Sequence, residues 1–215
     1  MDRERKTYRQ PRQADVSLSM EDLRSVVAFT SAAAEVVLPH FEMQCPEDGR
    51  PRQALIAALA FVHGEPRSRA QRVSAPAAHR AGREADSEVA FHAATAAGDA
   101  AASAYLHPLA DSIQVKHIVR APAHAVRVME LTGSPDEDTD LAALLDGFAS
   151  HATSQLSDVL RRYPRIGLTP SRTSETSSRI SARTNRINGP MSEIDDWLRR
   201  QSTPGAEAAR LTEPS

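Results

Sequence analysis

Residues 87–106, SEVAFHAATAAGDAAASAYL, contain nine alanines and are predicted to form one helix with small side chains on nearly every face. Small side chains let neighbouring helices approach closely from several sides, so we expect this helix at the centre of a bundle. The chain has 36 alanines in 215 residues, and 19 of them fall between positions 54 and 104. This composition predicts a helical middle of the chain and argues against a β-sandwich or a parallel-sheet enzyme.

Further helices are predicted on both sides of this one from apolar residues that recur at three- and four-residue steps. Ser19 and Asp22 form a capping-box-like start for the first helix, and Pro51 suits the first turn of the second. Proline is also expected to kink or interrupt three helices, at Pro39, Pro76 and Pro122. The predicted helices around the central one start at about residue 19 and run to about 41, then cover 51–64, 67–84, 111–131 and 139–162.

The fold class that follows is all-α, a compact bundle of about five to six helices with a disordered C-terminal linker and a short terminal helix. The linker is predicted because its segment is rich in Ser, Thr, Arg and Pro and lacks apolar periodicity. In the terminal element SEIDDWLRRQ, Ile194, Trp197 and Leu198 share one face, which would dock onto the bundle or onto a partner. The expected division is a flexible N-terminus (1–17), the helical bundle domain (18–163), the linker (164–190), and the short helix and tail (191–215).

Charge and cysteine content narrow the class of protein. The chain has 26 Lys and Arg against 28 Asp and Glu, a net charge of −2, which argues against a dedicated nucleic-acid binder. The single cysteine, Cys45, cannot form an internal disulfide and fits a reducing compartment. The basic start MDRERKTYRQPRQ has no apolar stretch behind it, and we expect no run of about 18 apolar residues. We therefore expect a soluble cytoplasmic protein with no membrane partner.

Histidines supply one candidate for chemistry. His92 and Asp99 share a face of the central helix, and His117 and His124 share a face of the next helix. Together with His107 they form a possible ligand or metal cluster in a bundle. No His-x-x-x-His, Glu-x-x-His or cysteine pair accompanies them, so packing or surface roles are favoured. No nucleophile, phosphate-loop or dinucleotide motif is present, and we expect no catalytic residue, metal or cofactor.

A charged corner at the start of the second helix supplies a candidate for binding. Arg50 and Arg52 flank Pro51 beside Glu47 and Asp48. The two guanidinium groups could bind carboxylates of a partner protein, or they could pair with these acids or with Glu42. Trp197 in the terminal helix is a further candidate for contact with a partner.

A string of segments in order carries a resemblance to a known family: VLPHFE, EDGRPRQAL, HGEP, AAHRAGREA and FHAATAAGDAAASAYLHPLADSIQVKHIV. Over about residues 22–131 the chain resembles immunity proteins of bacterial polymorphic toxin systems, the immunity-five-like helical domain. The resemblance implies a small all-helical protein that binds and neutralises a cognate toxin. The family tends to have histidine after the glycine of the fourth helix, where this chain has Asp99.

Three functions remain open at this point. The first is a non-enzymatic helical protein-binding module that resembles these immunity proteins, with a toxin as its partner. The second is a metal-dependent or acid–base enzyme that uses the helix-borne histidines. The third is a regulatory or scaffold protein in a specialised metabolic locus, in which the linker and the Trp197 helix recruit a partner.

Overall fold

The computed structural model describes residues 15–133, 145, 147–166, 183 and 185–201 of the chain. Within these residues the fold is all-α, as predicted, with seven α-helices in a compact arrangement and no strand. The helices are α1 (Met20–Gln44), α2 (Arg50–Val62), α3 (Arg69–Glu84), α4 (Glu88–Ser103), α5 (Ser112–Thr132), α6 (Ser154–Arg161) and α7 (Asn188–Arg200).

Helix α4 is the centre of the bundle, in agreement with its alanine-rich sequence. Thirteen of its 16 residues are buried, and it packs against α1, α2, α3 and α5. All of its alanines except the partly buried Ala102 are almost completely inaccessible to solvent; Ala93, Ala96 and Ala100 are 0% exposed. Because a methyl group reaches only a short way from the backbone, four helices can pack around α4 at short range.

Helices α3 and α4 approach each other closely at Gly82. A Cβ atom at this position would lie 2.9 Å from the backbone oxygen of Phe91 and 3.1 Å from the Oγ1 atom of Thr95. A backbone oxygen inside a helix moves only if the helix moves with it. Glycine at position 82 therefore sets the distance between α3 and α4.

We expect Gly82→Ala to destabilise the protein by about 1–3 kcal/mol, the usual cost of adding a methyl group to a packed interior. Chemical denaturation followed by circular dichroism measures the change. Gly189→Ala is the matched control, because Gly189 also lies in a helix and a Cβ there would meet nothing within 4 Å. The control should leave stability unchanged or raise it by up to about 1 kcal/mol. Equal effects of the two variants would contradict the close-packing argument.

Two helices begin with the capping interactions that their sequences predict or allow. Ser19 accepts a hydrogen bond from the backbone of Asp22, whose carboxylate accepts one from the backbone of Ser19. Ser68 and Gln71 form a second capping box at α3. The expected interruption at Pro76 is wrong, since α3 is continuous from Arg69 to Glu84. The cap at its start and its packing against α2 and α4 outweigh the loss of one backbone hydrogen bond.

The predicted sixth helix over 139–162 is not continuous. Residues 139–144 and 146 lie outside the described residues. In the described part, a short 3₁₀ turn at Ala149–His151 is followed by α6, which begins only at Ser154. The Thr153 hydroxyl accepts a hydrogen bond from the backbone of Leu156 and so caps a new helix. This local cap, not recognised in the sequence, separates the two elements.

The predicted boundaries of the terminal segments also shift. Residues 1–14, 167–182, 184 and 202–215 lie outside the described residues. Val16, inside the predicted flexible N-terminus, is buried and donates its backbone N–H to the oxygen of Pro108. Ile187, inside the predicted linker, is fully buried, and α7 starts at Asn188 rather than 191. Pro190 does not prevent this earlier start, because the first turn of a helix tolerates proline.

Helices α6 and α7 pack onto the bundle that precedes them. Arg162, just after α6, reaches Asp22 at the start of α1 with an N–O distance of 2.7 Å. Burial would raise the pKa of Asp22, but hydrogen bonds from Arg162, Ser19 and Gln155 lower it to about 2. Helix α7 packs against α5 and α6, and the Ser157 hydroxyl donates to the backbone oxygen of Leu198. The residue after α6 is thus bonded to the start of α1, and α7 is in turn bonded to α6.

Helix α1 is long and apolar enough, by length and composition alone, to cross a membrane. The expectation that the chain holds no such stretch is wrong on this criterion. In the fold, however, 61% of the apolar window is buried inside the protein. The core helix of a soluble protein meets the same criterion, so this finding is weak evidence for a membrane span.

Candidate functional site

A ladder of polar side chains runs along the interface between α4 and α5. Glu88, His92 and Asp99 lie on one face of α4, at steps of four and seven residues. Arg127, His124 and Arg120 lie on the facing side of α5, in antiparallel order. The opposed pairs are Glu88 with Arg127 (3.6 Å), His92 with His124 (2.6 Å) and Asp99 with Arg120 (3.4 Å). We call these six residues the polar ladder.

The central pair of the polar ladder is a hydrogen bond between two buried imidazoles. The Nδ1 atoms of His92 and His124 are 2.6 Å apart, and both side chains are 0% exposed. One Nδ1 must donate and the other must accept, so at least one of the two rings is neutral. Phe91 packs edge-on against both rings. Burial lowers the pKa of His92 to about 4 and lowers the pKa of His124 well below its ordinary value.

Asp99 carries the strongest network in the polar ladder. It is 4% exposed, and its Oδ1 atom is 3.0 Å from the Nε2 atom of His79 on α3. Burial alone would raise the pKa of Asp99, but Arg120 and the hydrogen bond from His79 lower it to about 2. The carboxylate is therefore ionised at neutral pH and compensates the positive charge that α5 brings into the interface.

Much of the polar ladder lacks direct hydrogen bonds. Seven buried side-chain atoms in the described part of the chain have no hydrogen-bond partner, and five of them belong to this interface. The Nε2 atom of His124 is 3.7 Å from Asp99, and the Nε2 atom of His92 is 3.7 Å from Glu88. These distances exceed hydrogen-bond length, and each contact becomes an ion pair only when its imidazole is protonated. Each end of the histidine pair thus faces a carboxylate.

The structure brings together three of the five histidine-cluster candidates, namely His92, Asp99 and His124. His117 is half-buried on α5 and makes no hydrogen bond or ion pair with Asp99, although burial lowers its pKa. The His107 side chain is exposed, and its backbone accepts from the Tyr163 hydroxyl. In the part of the chain that the structure describes, no group of three or more His, Cys, Asp or Glu side chains is placed to hold a metal ion. A metal or acid–base role for the cluster stays a prediction.

Sequence reasoning did not find His79, Arg120, Glu88 or Arg127. The signal was present for α5, where His117, Arg120, His124 and Arg127 recur at three- and four-residue steps and so share one face. His79, the partner of Asp99 on α3, is harder to find from the sequence, because its contact with Asp99 depends on close packing at Gly98. A Cβ at position 98 would come within 2.6 Å of the His79 Nε2 atom, so the missing side chain makes room for the imidazole.

We expect Asp99→Asn to destabilise the protein by about 2–4 kcal/mol, because it leaves Arg120 and His79 facing a buried neutral amide. The side chains of Arg120 and His79 are 30% and 24% exposed, so solvent softens the loss. Thermal and chemical denaturation at pH 7.5 measure it.

The control is Asp158→Asn, which removes an exposed carboxylate paired with Arg161. It should change stability by less than about 0.5 kcal/mol. A loss for Asp99→Asn no larger than that of the control would contradict the role assigned to Asp99.

The charged corner predicted at the start of α2 is present, and its arginines already have partners. Arg50 binds Asp48 at 2.5 Å and Glu84 of α3 at 2.6 Å, and Arg52 binds Glu42 of α1 at 2.7 Å. These hydrogen bonds lower the pKa of Asp48 and of Glu42. The corner therefore ties α1, α2 and α3 together.

An open surface pocket of about 360 Å³ adjoins the charged corner. It lies between the loop after α1 and the end of α3. Glu47, on its rim, is exposed and makes no ion pair with a described residue. The pocket is lined by Cys45, Pro46, Glu47, Asp48, Ala81, Glu84 and Ala85.

Trp197, the remaining candidate for partner contact, is half-buried against the bundle. Its neighbours Ile194 and Leu198 are fully buried. The apolar face of the terminal helix thus docks onto the bundle, one of the two outcomes expected from its sequence.

The fold and its candidate sites define a small all-α bundle protein with a buried polar interface and a charged, pocketed corner. A family model described as Imm-5 like putative immunity protein matches residues 17–143, which include all of α1 to α5. The chain belongs to this family, as the resemblance in its sequence implied. No curated protein and no solved structure matches the chain.

Proposed function

We propose that the protein is a non-enzymatic immunity protein that binds a cognate toxin and neutralises it in the cytoplasm. The family match carries this proposal, because it covers the entire five-helix bundle from α1 to α5. An immunity protein needs a rigid surface that recognises one partner. The charged corner of this chain has the properties of such a surface.

The arginine side chains of the charged corner are held by ion pairs within the chain itself. The carboxylates of Asp48 and Glu84 hold the guanidinium of Arg50, and Glu42 holds that of Arg52. A surface whose long side chains are already ordered loses less conformational entropy when it binds. Its acidic side chains, with Glu47 on the pocket rim, favour a basic side chain of the partner.

The polar ladder is less suited to this role. His92 and His124 are fully buried and Asp99 is 4% exposed, so a partner protein cannot reach them without opening the bundle. Their energetic role lies in the pairing of α4 with α5. We therefore propose recognition at the charged corner and structural support at the polar ladder.

Co-expression with each toxin-domain protein encoded in the gene's neighbourhood tests the proposal. The wild-type chain should restore growth of cells that produce the cognate toxin and should form a stoichiometric complex with it. Glu47→Lys should weaken the complex by about tenfold or more, because it places a positive charge where a basic side chain is expected. Titration calorimetry measures the affinity.

Glu65→Lys is the matched control, since Glu65 is an exposed carboxylate in the loop between α2 and α3, away from the corner pocket. It should keep the wild-type affinity within about threefold. If no neighbouring toxin is bound or neutralised, the immunity function is wrong. If the toxin is neutralised but Glu47→Lys binds as tightly as the control, the charged corner is the wrong surface.

A further inference from the structure

Two arginines from the C-terminal part of the chain, Arg183 and Arg186, lie over the Glu88 end of the polar ladder. The Arg183 guanidinium lies 5.3 Å from the centre of the Phe91 ring and donates to the backbone oxygen of Asp86. Arg186 is 3.4 Å from Glu88, and the next residue, Ile187, is fully buried. We call residue 183 and residues 185–200, which include α7, the C-terminal strap.

The histidine pair beneath this end can accept few protons. With both rings neutral, one Nδ1 carries a hydrogen and the other does not. One added proton fits, because a ring protonated on both nitrogens can donate from Nδ1 to its partner and from Nε2 toward a carboxylate. A second added proton places two N–H groups and two positive charges against each other at 2.6 Å. The pair therefore takes up one further proton but not two, and the protonated ring then faces Glu88 or Asp99.

Among the residues that the structure describes, the charged groups around the pair come from four packed elements. Helix α4 contributes Glu88 and Asp99, and α3 contributes His79. The C-terminal strap contributes Arg183 and Arg186. Helix α5 contributes Arg120, Arg127 and Glu130, of which Glu130 pairs with Arg127, and its His117 interacts electrostatically with Asp99.

Glu88 is the group for which these cations compete. At neutral pH its carboxylate lies near both Arg127 (3.6 Å) and Arg186 (3.4 Å). A proton on His92 adds a third cation, 3.7 Å from the same oxygen. Arg186 is the cation that leaves most easily, since its side chain is already 55% exposed. Arg127, by contrast, lies within α5 and also pairs with Glu130.

We propose that the C-terminal strap is an acid-sensitive latch, held on α4 and α5 while the His92–His124 pair is neutral and loosened when the pair takes up a proton. The effect of nearby arginines on the pKa of His92 supports the same coupling between protonation and docking of the C-terminal strap. Arg127 and Arg183 both lower the pKa of His92, although burial contributes most. By linkage, a proton on His92 must weaken the docked position of Arg183 to the same extent.

The size of the effect follows from the histidine pKa. Burial lowers the pKa of His92 to about 4 in the closed protein, and a solvated histidine titrates near 6.5. If release of the C-terminal strap restored the solvated value in full, opening at pH 5.0 would be favoured by about 30-fold over pH 7.5. Burial contributes most of this lowering and is relieved only in part when the C-terminal strap leaves, so we expect about 2-fold to 10-fold. Asp22 and Asp99, with a pKa of about 2, stay ionised at both pH values.

Hydrogen–deuterium exchange of the full chain tests the latch. Peptides from α7 are compared with peptides from α2 at pH 7.5 and 5.0, after correction for the intrinsic exchange rates. We expect protection of α7 to fall by about 2-fold to 10-fold at pH 5.0, while α2 keeps its protection. Equal protection of α7 at the two pH values, or an equal loss in α2, would overturn the proposal.

Variants identify the titrating group. His92→Gln cannot take up the proton and should abolish the response of α7 to pH. His107→Gln, at an exposed histidine, should retain it. If His92→Gln does not fold, Glu88→Gln tests the latch instead. The Glu88 side chain is 26% exposed, so the substitution is better tolerated, and it removes the carboxylate that pairs with Arg186. That variant should show reduced protection of α7 already at pH 7.5, and wild-type behaviour of it would refute the latch.

Discussion

Close packing around α4 is the constraint on which the rest of the structure depends. The alanines of this helix and Gly82 of α3 let four neighbouring helices approach at short range. The same closeness buries the polar residues that α4 also carries. Because small side chains cannot shield these groups from one another, α5 must supply matching charges in register. The polar ladder is the result, with Asp99 held by Arg120 and His79.

The helical fold and its centre could be predicted from composition and periodicity, because alanine content and apolar spacing act locally along the chain. For the histidine pair, the sequence showed only that His92 lies on one face of α4 and His124 on one face of α5. It did not show that the two side chains meet. The register of their contact depends on how α5 slides along α4, which no single helix determines. The His79 contact was out of reach of sequence reasoning, since it requires a missing side chain at Gly98 on another helix.

The errors in the sequence reasoning have local physical causes. Proline at position 76 was expected to interrupt α3, but packing on two neighbours keeps the helix continuous. A threonine cap at Thr153 divides the region that was predicted to be one helix. The start of α7 was placed too late because Ile187 stands alone in a polar stretch, where one apolar residue forms no pattern. In each case local contacts outweigh a compositional tendency.

The anchoring of Arg162 to the first helix has a practical consequence for work on this family. The matched region ends at residue 143, yet Arg162 binds the backbone oxygen of Ser17 and the carboxylate of Asp22. Tyr163 similarly reaches the backbone of His107. A fragment cut at the edge of the matched region would lose these ties and uncover the side of α5 on which α7 rests. The packed bundle of this protein therefore extends well past the stretch by which its family is recognised.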